Sequence, residues 1–175
     1  MLEEKQKKII YLILVFFIGA FAGKVYETLF YLIVNHELFN TGTLFGPWII
    51  IYGVGSVLLY FLKSFKKNPI ILFLLSILIT GTLEYFSGLV LDKVFGLMLW
   101  NYNGLFLNIG GYVCFRSVIT FAIGGLLLHY LLIPILDKIF IKIKYNYIKY
   151  FTYILVVLFI IDFILSKIFK NYHLF

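Results

Sequence analysis

Ionisable side chains lie inside long apolar runs, where a bilayer would exclude them, and four of them lead the reading: Lys24, Glu27, Glu84 and Arg116. Placing such a group near the membrane centre costs about 2.5–3.5 kcal/mol on insertion scales, so a retained one is expected to be paired or functional. Two acids and two bases sum to zero, which suits a neutral ionic cluster lining a substrate path. Snorkelling of Lys24 and Arg116 along their own stems to the interface is the competing reading. Asp162 and His129 read as local hydrogen-bonding residues rather than as ligands or proton relays.

The same charges stand in rows of small and polar residues at spacing four, which stacks them on one helix face. The rows are Gly19, Gly23 and Glu27; then Ser76, Thr80, Glu84 and Gly88; then Arg116, Thr120 and Gly124. Small residues at this spacing let membrane helices approach closely, so the glycines are expected to pack. Constellations for bond-making chemistry are missing from the sequence. It has no HExxH zinc pair, no Gly-x-Ser-x-Gly elbow and no Gly-rich Lys-Ser/Thr phosphate loop. Ser56 and His129 are the one conceivable serine dyad, and helical rise puts them about 15 Å and about 26 Å from one membrane face. Cys114 is the only cysteine. No enzyme activity, cofactor or metal is expected.

The elements that must carry these residues follow from composition. Of 175 residues, 63% are hydrophobic and only 13% charged, against roughly 45–50% and about 25% in soluble domains. A soluble globular chain and a disordered one are both excluded. The net charge of +7 does not point to nucleic acid, because fourteen of the fifteen basic residues are lysines, most of them in short clusters between apolar runs. That is the pattern of topogenic charge and anionic-lipid contact. Spanning requires about 20 residues at 1.5 Å each, with every backbone amide paired internally. The chain therefore reads as an all-α integral membrane protein, one transmembrane domain over residues 1–175 with about five helices, at 9–34, 44–62, 70–91, 112–133 and 150–166. The first run is longer than a signal-peptide core and reads as a retained helix.

Residues 92–111 are too apolar for an aqueous loop and too short to cross twice. With turn chemistry at Asn101-Tyr102-Asn103-Gly104, they read as a re-entrant or interfacial segment near 92–111, Trp100 and Tyr102 at headgroup depth. The basic stretch 134–149 reads as an amphipathic helix on the inner leaflet. Lysines 5, 7, 8, 63, 66, 67, 138, 142, 144 and 149 place the N-terminus in the cytoplasm and the C-terminus outside, with Lys167 and Lys170 the one objection. On that orientation Glu84, Lys24, Arg116 and Glu27 lie roughly 21, 22, 24 and 27 Å from the inner face, all in the outer third.

Four motifs in this order resemble a known family. They are Gly23-Lys24-Val25-Tyr26-Glu27; Asn40-Thr41-Gly42-Thr43-Leu44-Phe45-Gly46-Pro47 with Ile51-Tyr52-Gly53-Val54-Gly55; Leu83-Glu84-Tyr85-Phe86-Ser87-Gly88 with Leu91-Asp92-Lys93-Val94-Phe95; and Trp100-Asn101-Tyr102 with Asn108-Ile109-Gly110-Gly111. The chain resembles the bacterial ABC-transporter type IV permeases, also called the CmpB-like family. Lys24 stands where that family usually shows Trp, Thr41 where it shows Arg, Ile50 where it shows Pro, and Asn101 where it shows Asp. The resemblance implies a transport-related, permease-like subunit acting with a separate ATP-binding subunit, for which 63–69 or 134–149 would be the contact. A regulatory, sensory or assembly protein of the membrane is the alternative. The bilayer and a second copy of the chain complete the expected partners.

Overall fold

The computed structural model describes residues 2–36 and 41–169; Asn40 of the second motif and Lys170 lie outside them. Among the described residues six α-helices follow one another: α1 (Leu2–Asn35), α2 (Ile50–Tyr60), α3 (Pro69–Phe95), α4 (Phe115–Leu127), α5 (Ile133–Lys142) and α6 (Tyr145–Phe169). A 3-10 turn extends α2 to Phe65, and a π turn over Leu128–Leu132 joins α4 to α5. No strand occurs among the described residues, so the all-α reading holds.

Four helical runs among the described residues are long and apolar enough to cross a membrane: Glu3–Asn35, Pro69–Phe95, Phe115–Lys142 and Tyr145–Phe169. The first, second and fourth extend past both boundaries expected from apolar residues; the third starts three residues inside its expected start, at the Cys114 cap, and runs on through Lys138 to Lys142. The run expected at 44–62 is different. Its helix begins only at Ile50 and, with the 3-10 turn, ends at Phe65, short of a full span. Residues 42–47 are bends. Gly42 sits at φ +86°, and Pro47 disfavours helical geometry in the residue before it.

Local chemistry sets several ends. The Asn68 side chain accepts from the amides of Ile70 and Ile71 (both 3.2 Å), with Pro69 in the first turn of α3. At the other end Gly96 turns left-handed (φ +65°), and Leu97 N–H donates to the Leu91 carbonyl at 2.9 Å. Cys114 caps α4 reciprocally with Ser117. The π turn precedes Pro134, whose ring would clash with the carbonyl four residues back in a regular helix; the wider turn makes room.

The described residues form two compact units. The first holds α1, α2 as far as Val57, α5 and α6. Here α1 and α2 run antiparallel. Gly19 meets Ser56, Gly23 meets the Tyr52 ring, and Phe16 lies under Gly53, while Ile49 N–H donates to the Ala20 carbonyl at 3.1 Å. α1 and α6 run parallel: Lys7 lies over the Tyr145 ring near their starts, and Phe16 and Phe17 pack edgewise on Phe159 further along, at 5.7 and 5.8 Å. α5 is amphipathic. Ile133 and Leu136 are buried, and Tyr11 of α1 donates to Asp137 at 2.7 Å, while Lys138, Ile139, Ile141 and Lys142 are exposed.

The second unit runs from Leu58 to Leu131 and is built on an antiparallel pair, α3 and α4. Along α3 the buried row is Leu72, Ser76, Thr80, Glu84 and Gly88, the row expected from spacing. Ser76 and Thr80 donate to carbonyls one turn back, each at 2.7 Å, so their hydroxyls are satisfied within the helix. On α4 the packing row is one residue over from the expected one. Ser117, Phe121 and Gly125 are buried, and Gly125 rests on Ser76, where a Cβ would stand 2.6 Å from Oγ. Arg116 and Gly124 are exposed, and a Cβ at Gly124 would meet nothing within 4 Å.

Candidate functional site

The four motifs pair off by unit: the first meets the second, and the third meets the fourth. In the first unit residues 41–49 lead back to the middle of α1. Ala20, which accepts from Ile49, lies about 22 Å before the end of α1 at Asn35. Non-helical backbone at that depth needs partners within the protein, and α6 supplies them. The Asp162 carboxylate accepts from Phe45 N–H (3.1 Å), Gly46 N–H (3.0 Å) and the Trp48 indole (2.6 Å). The Ser166 hydroxyl donates to Asp162 at 3.2 Å and accepts from Phe45 N–H at 3.0 Å. Trp48 packs edgewise against Phe17 (5.7 Å) and Phe159 (5.9 Å), and a Cβ on Gly46 would strike its indole at 2.6 Å.

Lys24 also holds this segment, its ammonium donating to the Thr41 carbonyl. Glu27, one turn further along α1, has Tyr52 as a hydrogen-bonding neighbour and the Lys24 charge beside it. Tyr26 stacks at a tilt on Tyr52, 6.3 Å between ring centres. Gly23 is required here, because a Cβ would stand 2.2 Å from the Tyr52 ring. Gly53 plays the same part against Phe16, at 2.6 Å. Pro47 is exposed.

In the second unit residues 96–114 fold as turns over the Glu84, Gly88 and Asp92 row. This is the segment expected at 92–111, with its start shifted because Asp92–Phe95 remain in α3. Glu84 is buried at 2% exposure and accepts from the Tyr102 hydroxyl at 2.8 Å. The Tyr112 hydroxyl donates to Asp92 at 2.6 Å, and Lys93 pairs with the same carboxylate at 2.8 Å. That hydrogen bond to Asp92, helped by burial, holds the Tyr112 phenol above its ordinary pKa. Trp100 donates through its indole to the Tyr112 carbonyl at 2.8 Å. Gly88 admits both rings, Tyr112 at 3.1 Å and Trp100 at 3.3 Å from a would-be Cβ. Tyr85 meets Tyr112 edge-on at 5.8 Å.

The turns are set by their own residues. Asn101 accepts from Asn103 N–H at 2.9 Å, and Tyr102 N–H donates to the Gly111 carbonyl at 2.9 Å. Gly111 lies at φ +76°, with the Asn103 amide oxygen 2.8 Å from where a Cβ would stand, so a side chain here would be strained and would push Asn103 aside. Asn108 donates to the Leu105 carbonyl at 2.9 Å, and Gly110 is left-handed at φ +61°. The antiparallel register of Ser76 with Gly125, Gly81 with Val118 and Gly88 with Tyr112 sets Arg116 level with Glu84.

Of the expected ionic residues, Lys24 and Glu27 thus stand one turn apart on α1 in one unit, while Glu84 and Arg116 stand at one level of α3 and α4 in the other, Glu84 buried on Tyr102 and Arg116 exposed. Asp162 and His129, expected as local hydrogen-bonding residues, do hydrogen-bond, but across the fold: Asp162 to residues 45–48 and His129 to Leu59. His129 Nε2 donates to the Leu59 carbonyl at 2.8 Å, an acceptor that the change from α to 3-10 bonding skips. What sequence reasoning missed is the extent of the Asp162 network and the place of Tyr112 on Asp92.

Buried polar rows, long apolar helices and non-helical backbone at mid-helix depth define a multi-pass, all-α membrane protein. The chain belongs to the family described as "Putative ABC-transporter type IV", whose profile matches residues 14–167. No curated protein and no solved structure matches it.

Proposed function

We propose that the chain is a permease-like transport subunit that works with a separate ATP-binding subunit. The observation that carries this reading is the break in the backbone at 41–49, brought to mid-helix depth and held there by Asp162 and Lys24. Irregular backbone at that depth is tolerated where it is buried in protein or lines a cavity, and interrupted helices are how many transporters build their substrate paths. Lys24 with Glu27, and Glu84 with Arg116, are the ionisable groups assigned to the path. The sequence has no phosphate-binding loop, so ATP hydrolysis belongs to the partner. No catalytic role is assigned to the chain itself.

The N-terminus is placed in the cytoplasm and the C-terminus outside. Lysine distribution supports this, as does the parallel course of α1 and α6, which sends both helices across in one direction. Isolation in mild detergent, with identification of co-purifying chains, tests the reading together with flux into vesicles. An ATP-binding protein in the complex, and flux lost in Glu84→Gln, are expected. A chain that purifies alone and supports no flux overturns the reading in favour of a regulatory or assembly protein.

A further inference from the structure

We infer that the lysine-bearing end of the first unit is a binding surface for anionic phospholipid headgroups. Three helices bring basic residues to it. α1 contributes Lys5, Lys7 and Lys8 from its first two turns, α5 contributes Lys138 and Lys142, Lys144 follows between helices, and α6 contributes Lys149. Contacts hold these helix ends side by side. Tyr11 of α1 donates to Asp137 of α5 and packs on Phe140, 5.1 Å between ring centres, and the Lys7 ammonium lies 5.3 Å from the ring centre of Tyr145 at the start of α6. Against the seven lysines stand three acids. Glu3 is taken by Lys7 at 2.8 Å and Asp137 by the Tyr11 hydroxyl, which leaves Glu4. Lys5, Lys8, Lys138, Lys142 and Lys144 are exposed, and none of them is in an ion pair among the described residues. Charge of one sign gathered this closely repels itself and attracts a counter-charge from outside.

The neighbouring side chains select which anion. Ile139, Ile141 and Ile143 are exposed among Lys138, Lys142 and Lys144, Ile141 at 83%, and Tyr147 follows at 68%. An acidic protein surface would pair the ammonium groups and leave the isoleucines in water. A headgroup layer serves both, with phosphates for the lysines and acyl chains for the isoleucines beneath them. The position agrees. α5 ends the spanning run Phe115–Lys142, and only Ile143 and Lys144 separate it from the next, Tyr145–Phe169. The lysines therefore stand where spanning helices leave the hydrocarbon, and their long stems let the charges reach the phosphates. Lipid binding here does not depend on the transport reading.

The test reconstitutes the full chain in phosphatidylcholine vesicles with a trace of spin-labelled lipid and reads the protein-immobilised fraction by electron spin resonance. Spin-labelled phosphatidylglycerol is expected to be preferred over spin-labelled phosphatidylcholine by about fivefold, the attraction of about one lysine per bound headgroup. Lys138→Gln with Lys142→Gln and Lys144→Gln is expected to lower the preference to about twofold or less. Lysine-to-arginine changes at the same three positions should keep it, and Lys167→Gln, at the other end of α6, should leave it unchanged. If the glutamine variant does not elute as a single species in gel filtration, salt on the unaltered chain decides, because at about 1 M screening sets in beyond about 3 Å and the preference should collapse. No preference in the unaltered chain, a preference indifferent to salt, or one untouched by the 138–144 changes overturns the proposal. An acidic protein that co-purifies from native membranes and is lost with those changes, while lipid preference stays, would assign the surface to that protein instead.

Discussion

The antiparallel contact of α1 with α2 rests on missing side-chain atoms, and Gly19→Ala tests it. A Cβ at Gly19 would stand 1.9 Å from Ser56 Oγ, 2.4 Å from Ser56 Cβ and 2.9 Å from the Tyr52 carbonyl oxygen. Rotating the serine hydroxyl relieves only the first of these, because the Ser56 Cβ is fixed to its helix. The helices must part, and parting also loosens Gly23 on Tyr52 and Gly53 on Phe16. Overpacking of this kind costs about 1–3 kcal/mol, offset by up to about 1 kcal/mol for replacing a mid-helix glycine with alanine. A net loss of about 1–2 kcal/mol is expected, a fall in Tm of about 2–8 °C for a chain of this size. Ser56→Gly removes both interfering side-chain atoms, so the double variant should recover at least half of the loss. The pair should couple by about 1 kcal/mol, within the range seen for touching residues. Thermal unfolding in detergent micelles, followed by far-ultraviolet circular dichroism, measures all three variants. If the two changes add without coupling, or Gly19→Ala is as silent as a glycine in open space, the close approach of these helices is wrong.

The other expectations lie in the second unit. Gly125→Ala should lower Tm while Gly124→Ala leaves it unchanged or raises it, since only the former meets Ser76, at 2.6 Å; the order reversed would restore the other row as the packing face. Tyr102→Phe leaves the buried Glu84 without its tyrosine donor and should destabilise by about 1–3 kcal/mol, read by denaturant titration. Glu84→Gln and Arg116→Gln should each impair folding or flux, with the double change milder than either; silent single changes would remove this pair from the path.

The rows on α1 and α3 were legible because each has a single run of small or polar residues at spacing four. On α4 two adjacent rows, Arg116-Thr120-Gly124 and Ser117-Phe121-Gly125, have the same period. Choosing between them requires the partner, because it is Ser76 on α3 that fills the space left by Gly125. The break at 41–49 was hidden for a different reason. Leu44, Phe45, Trp48 and Ile49 are apolar, so counting apolar residues ran the span straight through Gly46 and Pro47. Asp162 was visible as an in-span acid, but two of its partners are backbone amides more than a hundred residues away, and amides leave no mark in a sequence. The Gly96–Cys114 turns were better signalled, since Asn101, Gly104, Gly110 and Gly111 carry turn chemistry in their own identities.

The chain contains two tryptophans, and the fold gives one to each unit: Trp48 donates to a carboxylate, Trp100 to a backbone carbonyl. Each indole is thus a native optical reporter for its own half of the molecule, in a distinct electrostatic setting. Removing one leaves the other to be read alone. Emission and quenching can then follow the Asp162 network and the Glu84 cover separately, without an added dye.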